Sequence, residues 1–263
     1  MTATKMIEEA FARRFGETPS GLAEASDNIV LAQLGARGSC RAFTTQVPGL
    51  ALVETLCAAA LCAPSKSDLQ QRDILIVENP KKAKAMKELL GQQEWIVGAP
   101  RFVLFLANNR RQRQLQQLHD QPFPNDHLDA FFNASLDAGI ALAFFMVAAE
   151  SAGLGCCPIS TIRNHLGAVA RLFNLPDHVF PVAGLALGYP EGPQKISPRL
   201  PLHCTIQRDG FRETTPNEIR SYDARRSRIT GDPAWSAAKA RMYAEEQRED
   251  FATFAKSIGF KLG

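Results

Sequence analysis

The sequence predicts a layered domain of the α/β or α+β class, and three observations carry that reading. Short apolar or β-branched runs alternate with segments of helical spacing. A chain of 263 residues with 45% hydrophobic and 22% charged residues is long enough to bury a large core. No repeat or low-complexity linker interrupts it. The same values exclude intrinsic disorder, a collagen-like chain and a disulfide-stapled mini-domain. A net charge of +3 is too mild for a dedicated nucleic-acid binder.

The cysteines at 40, 57, 62, 156, 157 and 204 form no CxxC pair, so neither a zinc finger nor a redox dithiol is spelled out and no metal is expected. The first fifteen residues lack the apolar core of a signal peptide. Ile140 to Ala149, the longest apolar stretch, is far short of the roughly 20 residues of a membrane span. A soluble, cytoplasmic protein is expected, without membrane or nucleic-acid partners.

In chain order, Ile7, Phe11 and Phe15 lie four apart on one helical face that Gly16 stops. A second short helix is predicted from about Glu24 to Leu34. The Ala- and Leu-rich stretch from 49 to 63, ended by Pro64, reads as a buried helix. RDILIVE at 72–78 reads as a central strand. Asn79-Pro80 then starts a helix running to Gly91. RFVLFLA at 101–107 is a second strand, and the Gln- and Arg-rich stretch 108–127 is expected to be an exposed excursion or lid.

Leu128 to Ala152 is the longest helix, apolar on nearly every face, and so requires cover from the core or from another subunit. A helix at 164–173, a strand at 180–190 and a short fourth strand in LHCTIQR (202–208) follow. Thr215, Pro216 and Glu218 form a capping-box start. Asp232 and Pro233 open a last amphipathic helix reaching Gly259.

No GxSxG elbow, HExxH, Walker loop or GxGxxG is present, so acyl transfer, zinc hydrolysis and the Rossmann mode lack support. The five histidines are scattered. RGSCRAF (37–43) does stand out, because two guanidinium forks and a hydroxyl in one loop suit a terminal phosphate. A loop with two solvated arginines fits the same residues. A second polar cluster, APSKSDLQ (63–70), reads by itself as a turn between a helix and a strand.

Taken in order, RGSCRAF, APSKSDLQ, AAESAGLG running into CCPISTIRNHLGAV, LPDHVFPVAGLALGYP and SPRLP (197–201) resemble the FMN-dependent nitroreductase family. Within it they are most similar to the oxygen-insensitive NADPH nitroreductase and flavin reductase branch. The resemblance spans about Leu34 to Pro201 and extends weakly through Ser221-Tyr222-Asp223, Trp235-Ser236 and the last helix. It implies an α+β three-layer sandwich, with a central mixed, mainly antiparallel sheet flanked by helices, in a homodimer that binds FMN at the subunit interface. The expected organisation is an N-terminal helical extension (1–33), an FMN-binding core (34–205) and a C-terminal helical excursion packing on the dimer (206–263).

The resemblance also implies roles. Arg37, Ser39 and Arg41 grip the flavin phosphate from the early loop and Arg199 from the late turn. Ser197 stands where the family commonly has lysine, and Lys195 or Lys66 would restore that charge. Ser65, Lys66 and Ser67 line the ribityl chain and ring edge, and Gln93 contacts the flavin. Ile159, Ser160 and Thr161 pass the ring near N5. Ser160 and Thr161 replace glycines there, and Pro158 replaces a residue that is often aromatic.

No acid/base dyad is required, because the hydride moves at the flavin N5. Arg225, Arg226 and Arg228 are the candidates for reading the extra phosphate of NADPH over NADH. The implied activity is ping-pong reduction of small nitroaromatics, quinones or flavins by NAD(P)H. A dedicated NADPH-flavin reductase and a non-catalytic flavin-binding protein are the alternatives.

Overall fold

The computed structural model describes residues 2–25 and 27–263, which fall into two compact units. One unit combines residues 1–38 with 194–247, and the other combines 39–193 with 248–263.

The first unit is helical. It contains α1 (Ala3–Phe15), a 3-10 turn (Ser20–Ala25) and α2 (Ile29–Ala36). The Asn28 side chain accepts from the amides of Val30 and Leu31, so α2 begins at Ile29 and not near Glu24. Ile7, Leu22 and Ala32 are buried together and hold these pieces.

The second unit is built on a four-stranded sheet. Its elements in chain order are α3 (Leu50–Leu61), a 3-10 turn (Lys66–Asp68), β1 (Arg72–Val77), α4 (Pro80–Leu89), α5 (Glu94–Val97), β2 (Arg101–Asn108), α6 (Arg110–Leu118), α7 (Leu128–Ser151), β3 (Gly155–Ile159), a 3-10 turn (Thr161–Asn164), α8 (Leu166–Phe173) and β4 (Val179–Gly188). The first unit then resumes with α9 (Leu202–Thr205), α10 (Pro216–Thr230) and α11 (Trp235–Met242). Finally α12 (Phe251–Ser257) returns to the second unit.

The strand order is β1-β2-β4-β3 and every pairing is antiparallel. Because side chains alternate across a strand, β2 feeds two cores. Phe102, Leu104 and Leu106 join Met86, Leu90, Ile96 and Val169 of the layer formed by α4, α5 and α8. Val103 and Phe105 join Val53, Leu56, Ala141 and Phe145 of the layer formed by α3 and α7. The result is helices, sheet, helices. Phe105 meets Phe145 edge to face, with ring centroids 5.6 Å apart.

Several expectations are corrected. The 72–78 strand is an edge and not central, and its side chains are mostly half-buried. β3 was hidden in CCPI because Pro158 cannot donate to a ladder, and an edge strand is where a proline is tolerated. Residues 110–118 are helical, since Arg, Gln and Leu are good helix formers even without an apolar stripe. LHCTIQR contains the short helix α9 and no strand. The last helix is two, α11 and α12, with Arg248 at φ 58° between them.

Thr215 and Glu218 do form the capping box, with Pro216 opening the helix. α7 is long and apolar enough by composition to cross a membrane, yet Ala134, Ala138, Ala141, Phe145 and Ala149 are buried in this fold. Leu128, Phe132, Leu136 and Phe144 remain exposed along it at four- and eight-residue steps, a stripe the protomer leaves uncovered.

Candidate functional site

In the first unit, an arginine of α1 organises two turns that are far apart in sequence. Ile7, Ala10 and Arg14 are the buried residues of α1, so Arg14 occupies a place that spacing reserves for an apolar side chain. Its guanidinium donates to the carbonyls of Gly35 at 2.9 and 3.2 Å, Arg37 at 2.5 Å and Ser197 at 3.3 Å. Its own carbonyl accepts the Arg199 amide at 2.6 Å. Gly38 completes the junction, because a Cβ there would lie 2.5 Å from the Lys195 carbonyl oxygen. Only glycine allows the early loop to lie so close to the late turn.

The late turn is held from α10 as well. The buried Tyr222 hydroxyl donates to the Pro198 carbonyl at 3.1 Å, and its ring stacks edge to face on Trp235 at 5.4 Å. Arg225 donates to the carbonyls of Arg14 and Arg199 and lies 5.5 Å over the Tyr222 ring. Asp223 accepts from the amide and hydroxyl of Ser236. Burial pushes its carboxyl up, but the Ser236 bonds outweigh this and leave it below the usual range. The Ser-Tyr-Asp and Trp-Ser motifs therefore lock α10 onto α11.

Around this junction lies a cavity of about 680 Å³ whose lining includes Arg14, Arg37, Arg199, Arg226 and Lys239, beside Tyr222 and Trp235. Arg37 and Arg199, assigned from the two ends of the motif set, thus line one cavity. Arg37 is half-buried, and the exposed Arg199 folds back on the Ser197 and Pro198 carbonyls. Arg226 is paired with Asp232 at 3.1 Å, Arg225 is engaged as above, and Arg228 is exposed near the end of α10.

His203, Cys204 and Glu218 bring metal-ligating atoms within 4.8 Å of one another. However, the Arg212 guanidinium meets both Glu218 oxygens at 3.1 Å, placing a cation there already. That pairing, with the Thr215 bonds, holds Glu218 down at about 2.

The second unit carries the remaining residues. Ser39 is half-buried, and Arg41 is exposed with its guanidinium 5.6 Å over the Trp95 ring. Between them the buried Cys40 donates its amide to the Cys156 carbonyl at 3.0 Å, stitching this loop to β3.

The 63–70 loop is held from beneath. The Lys66 amide donates to the buried Asp137 of α7 at 3.0 Å, and the Ser65 hydroxyl accepts the Gln70 amide at 3.1 Å. Ser67, Asp68 and Gln70 all have φ near +50°, a left-handed run that non-glycine residues adopt only when their surroundings impose it. The other oxygen of Asp137 is buried without a hydrogen-bond partner among the described residues. Lys66 extends its amine to 3.8 Å from Asp129.

Gln93 precedes α5 and donates to the Thr161 hydroxyl at 2.9 Å. Ile159 is the buried last residue of β3, opposite Gly184, and Ser160 is exposed immediately after it. The motif reading missed Arg14, Asp137, Lys239 and the Tyr222–Trp235 pair as site-building residues. For Arg14 the available signal was an arginine seven residues after Ile7 on an apolar stripe.

Two family models match the chain. The Nitroreductase family model matches residues 34–189, and the model of the Nitroreductase family C-terminal domain matches 197–263. The chain is 31% identical over 246 residues to an FMN reductase [NAD(P)H] of Bacillus subtilis, covering 89% of this chain and 99% of the relative. It is 30% identical over 188 residues to an oxygen-insensitive NADPH nitroreductase of Salmonella typhimurium, covering 70% and 75%. Among solved structures it is similar to B. megaterium NfrA2, with a TM-score of 0.84, 32% identity and coverage of 90% and 99%. An NADPH:FMN oxidoreductase from Vibrio harveyi, complexed with NAD+, gives a TM-score of 0.81 at 27% identity, covering 88% and 98%.

Proposed function

Because this chain belongs to the nitroreductase family, we propose that it is an FMN-dependent NAD(P)H oxidoreductase that reduces small nitroaromatics, quinones or flavins. The observation that carries this reading is the basic cavity lined by both Arg37 and Arg199, beside Arg14 and Lys239. Guanidinium forks and an ammonium are the donor set a phosphate dianion needs. The cavity residues therefore fit the phosphate of FMN. When bound, FMN supplies the redox chemistry, accepting hydride from the nicotinamide nucleotide and handing two electrons to the acceptor in ping-pong order.

The chain's own residues then bind and orient. Arg37, Ser39, Arg41 and Arg199 are assigned to the phosphate. Ser65, Lys66 and Ser67 are assigned to the ribityl chain and ring edge, on a loop whose shape Asp137 fixes. The unpartnered Asp137 oxygen suits a neighbouring hydroxyl, since an acceptor left buried without a donor costs stability. Gln93, Ile159, Ser160 and Thr161 are assigned to the ring, with Thr161 fixing the Gln93 amide. Arg225, Arg226 and Arg228 are assigned to the extra phosphate of NADPH.

The uncovered stripe Leu128, Phe132, Leu136 and Phe144 supports a homodimer, in which a second copy would bury it. The setting proposed is the cytoplasm.

Stopped-flow mixing of the flavin-loaded protein with NADPH and with NADH tests the reading. Rapid bleaching of the flavin absorbance, restored by a quinone, is expected. A bound flavin that stays yellow would instead mean a flavin-binding protein. In the Arg225→Ala/Arg226→Ala/Arg228→Ala variant the NADPH-to-NADH ratio of kcat/KM should fall towards one at low salt. An unchanged ratio removes these arginines from the nucleotide site.

A further inference from the structure

We propose that Arg14 is a positioning residue for phosphate recognition, a clamp supplied by α1 that sets both arginine-bearing turns and makes the cavity selective for a phosphorylated flavin. This rests on the FMN reading above. Arg14 lies outside both segments matched by the family models, 34–189 and 197–263, so nothing in those segments assigns it a role.

The geometry is that of a hub. Through its side chain Arg14 binds the carbonyls of residues 35, 37 and 197, and through its backbone carbonyl it binds the Arg199 amide and the Arg225 guanidinium. One residue therefore touches the turn carrying Arg37, the turn carrying Arg199 and the helix that braces them.

Two physical consequences follow. The spacing between Arg37 and Arg199 is fixed before any ligand arrives, which removes ordering cost from binding. In addition, carbonyl oxygens are the negative ends of peptide dipoles and repel an anion. Arg14 engages three of them beside the cavity, so the cavity presents a more positive interior to a phosphate. A neutral side chain at position 14 would leave those carbonyls turned loose beside the phosphate. A lysine would keep the charge, but its single ammonium cannot bridge three acceptors with a planar fork.

Riboflavin is the discriminating probe because it has the ring and ribityl chain of FMN without the phosphate. Flavin-free protein is titrated with FMN and with riboflavin, following flavin fluorescence, for the wild type, Arg14→Ala, Arg14→Lys and Ile7→Ala. Ile7→Ala loosens the same helix without touching the Arg14 bonds.

The wild type is expected to prefer FMN by at least ten-fold. Arg14→Ala should collapse that preference towards one while riboflavin affinity stays within about three-fold. Arg14→Lys should fall between, and Ile7→Ala should keep the wild-type preference. An unchanged preference in the Arg14 variants overturns the proposal, as does an equal loss of both flavins or an Ile7→Ala preference that falls as far. If Arg14→Ala does not fold, Arg14→Lys decides, and failure of both to fold overturns the proposal in favour of a purely structural arginine. A wild type that binds neither flavin overturns the FMN reading itself, and the clamp with it. A wild type that prefers FMN beside variants that do so equally removes only the clamp.

Discussion

The Gln93 amide donates to the Thr161 hydroxyl at 2.9 Å, joining two positions 68 residues apart. Both are flavin-ring candidates, and the bond fixes the amide that one of them would present. Removing the hydroxyl in Thr161→Ala costs a hydrogen bond of about 1 kcal/mol. FMN affinity, read by fluorescence quenching, should fall roughly five-fold as the amide loses its fixed orientation, and the melting temperature of the flavin-free protein should drop by about 2 to 4 °C. Unaltered FMN affinity would remove the pair from the ring site.

Arg199 gives a sharper test of the phosphate assignment. Arg199→Glu replaces attraction by repulsion at a phosphate and is expected to cost about 2 to 5 kcal/mol. The variant should purify colourless at micromolar protein, whereas the wild type should carry about one FMN per subunit. Stoichiometric FMN in the variant contradicts the assignment.

Phe144 and Phe145 are neighbours with opposite fates. Phe145 is fully buried against Phe105, whereas Phe144 is 44% exposed on the uncovered stripe of α7. Phe145→Ala should destabilise the protomer by about 3 to 5 kcal/mol, measured by denaturant unfolding. Phe144→Glu should leave the protomer folded but shift sedimentation from dimer to monomer. A wild type that sediments as a monomer with flavin bound ends the dimer proposal.

Acid should loosen the start of α10. Glu218 has its pKa lowered from 4.5 to about 2 by the Arg212 guanidinium and the Thr215 bonds. A carboxyl depressed in the folded state contributes stability that is fully present above its unfolded value of 4.5. That contribution is lost as pH falls through 4.5 towards 2. The melting-temperature difference between wild type and Glu218→Gln should therefore shrink as pH falls from about 4.5 towards 2. A difference independent of pH across that range would show that the carboxylate charge is not what matters.

Legibility in the sequence followed the strength of local signals. Asn79-Pro80, the capping box at Thr215 and the apolar run of β2 are each specified by residues close in sequence, and each forms where expected. β3 was unreadable because Pro158 argues against a strand, and only its place at the sheet edge makes it acceptable. Arg37 and Arg199 were candidates from their motifs, and both line one cavity. The hub that joins them was not recognisable, because Arg13 and Arg14 at a helix C-terminus look like ordinary complements to the helix dipole. Asp137 was equally silent, since an acid among the apolar residues of a helix carries no spacing signal and its partner is a backbone amide of a distant loop.

In the sheet-bearing unit, Phe180 of β4 packs on Phe251 at 5.0 Å and Phe254 at 5.8 Å, and the buried Phe260 meets Phe131 at 5.1 Å. Residues 194–247, which belong to the other unit, separate these partners along the chain. While a ribosome makes that intervening stretch, at roughly 5 to 20 residues per second, Phe131 and Phe180 lack the cover of Phe251, Phe254 and Phe260. For some seconds the nascent chain therefore offers a sticky surface to holding chaperones and to other nascent chains. The duration is set by the order of segments in the gene and by elongation speed, so rare codons between 194 and 247 would lengthen the period of aggregation risk without altering the finished protein.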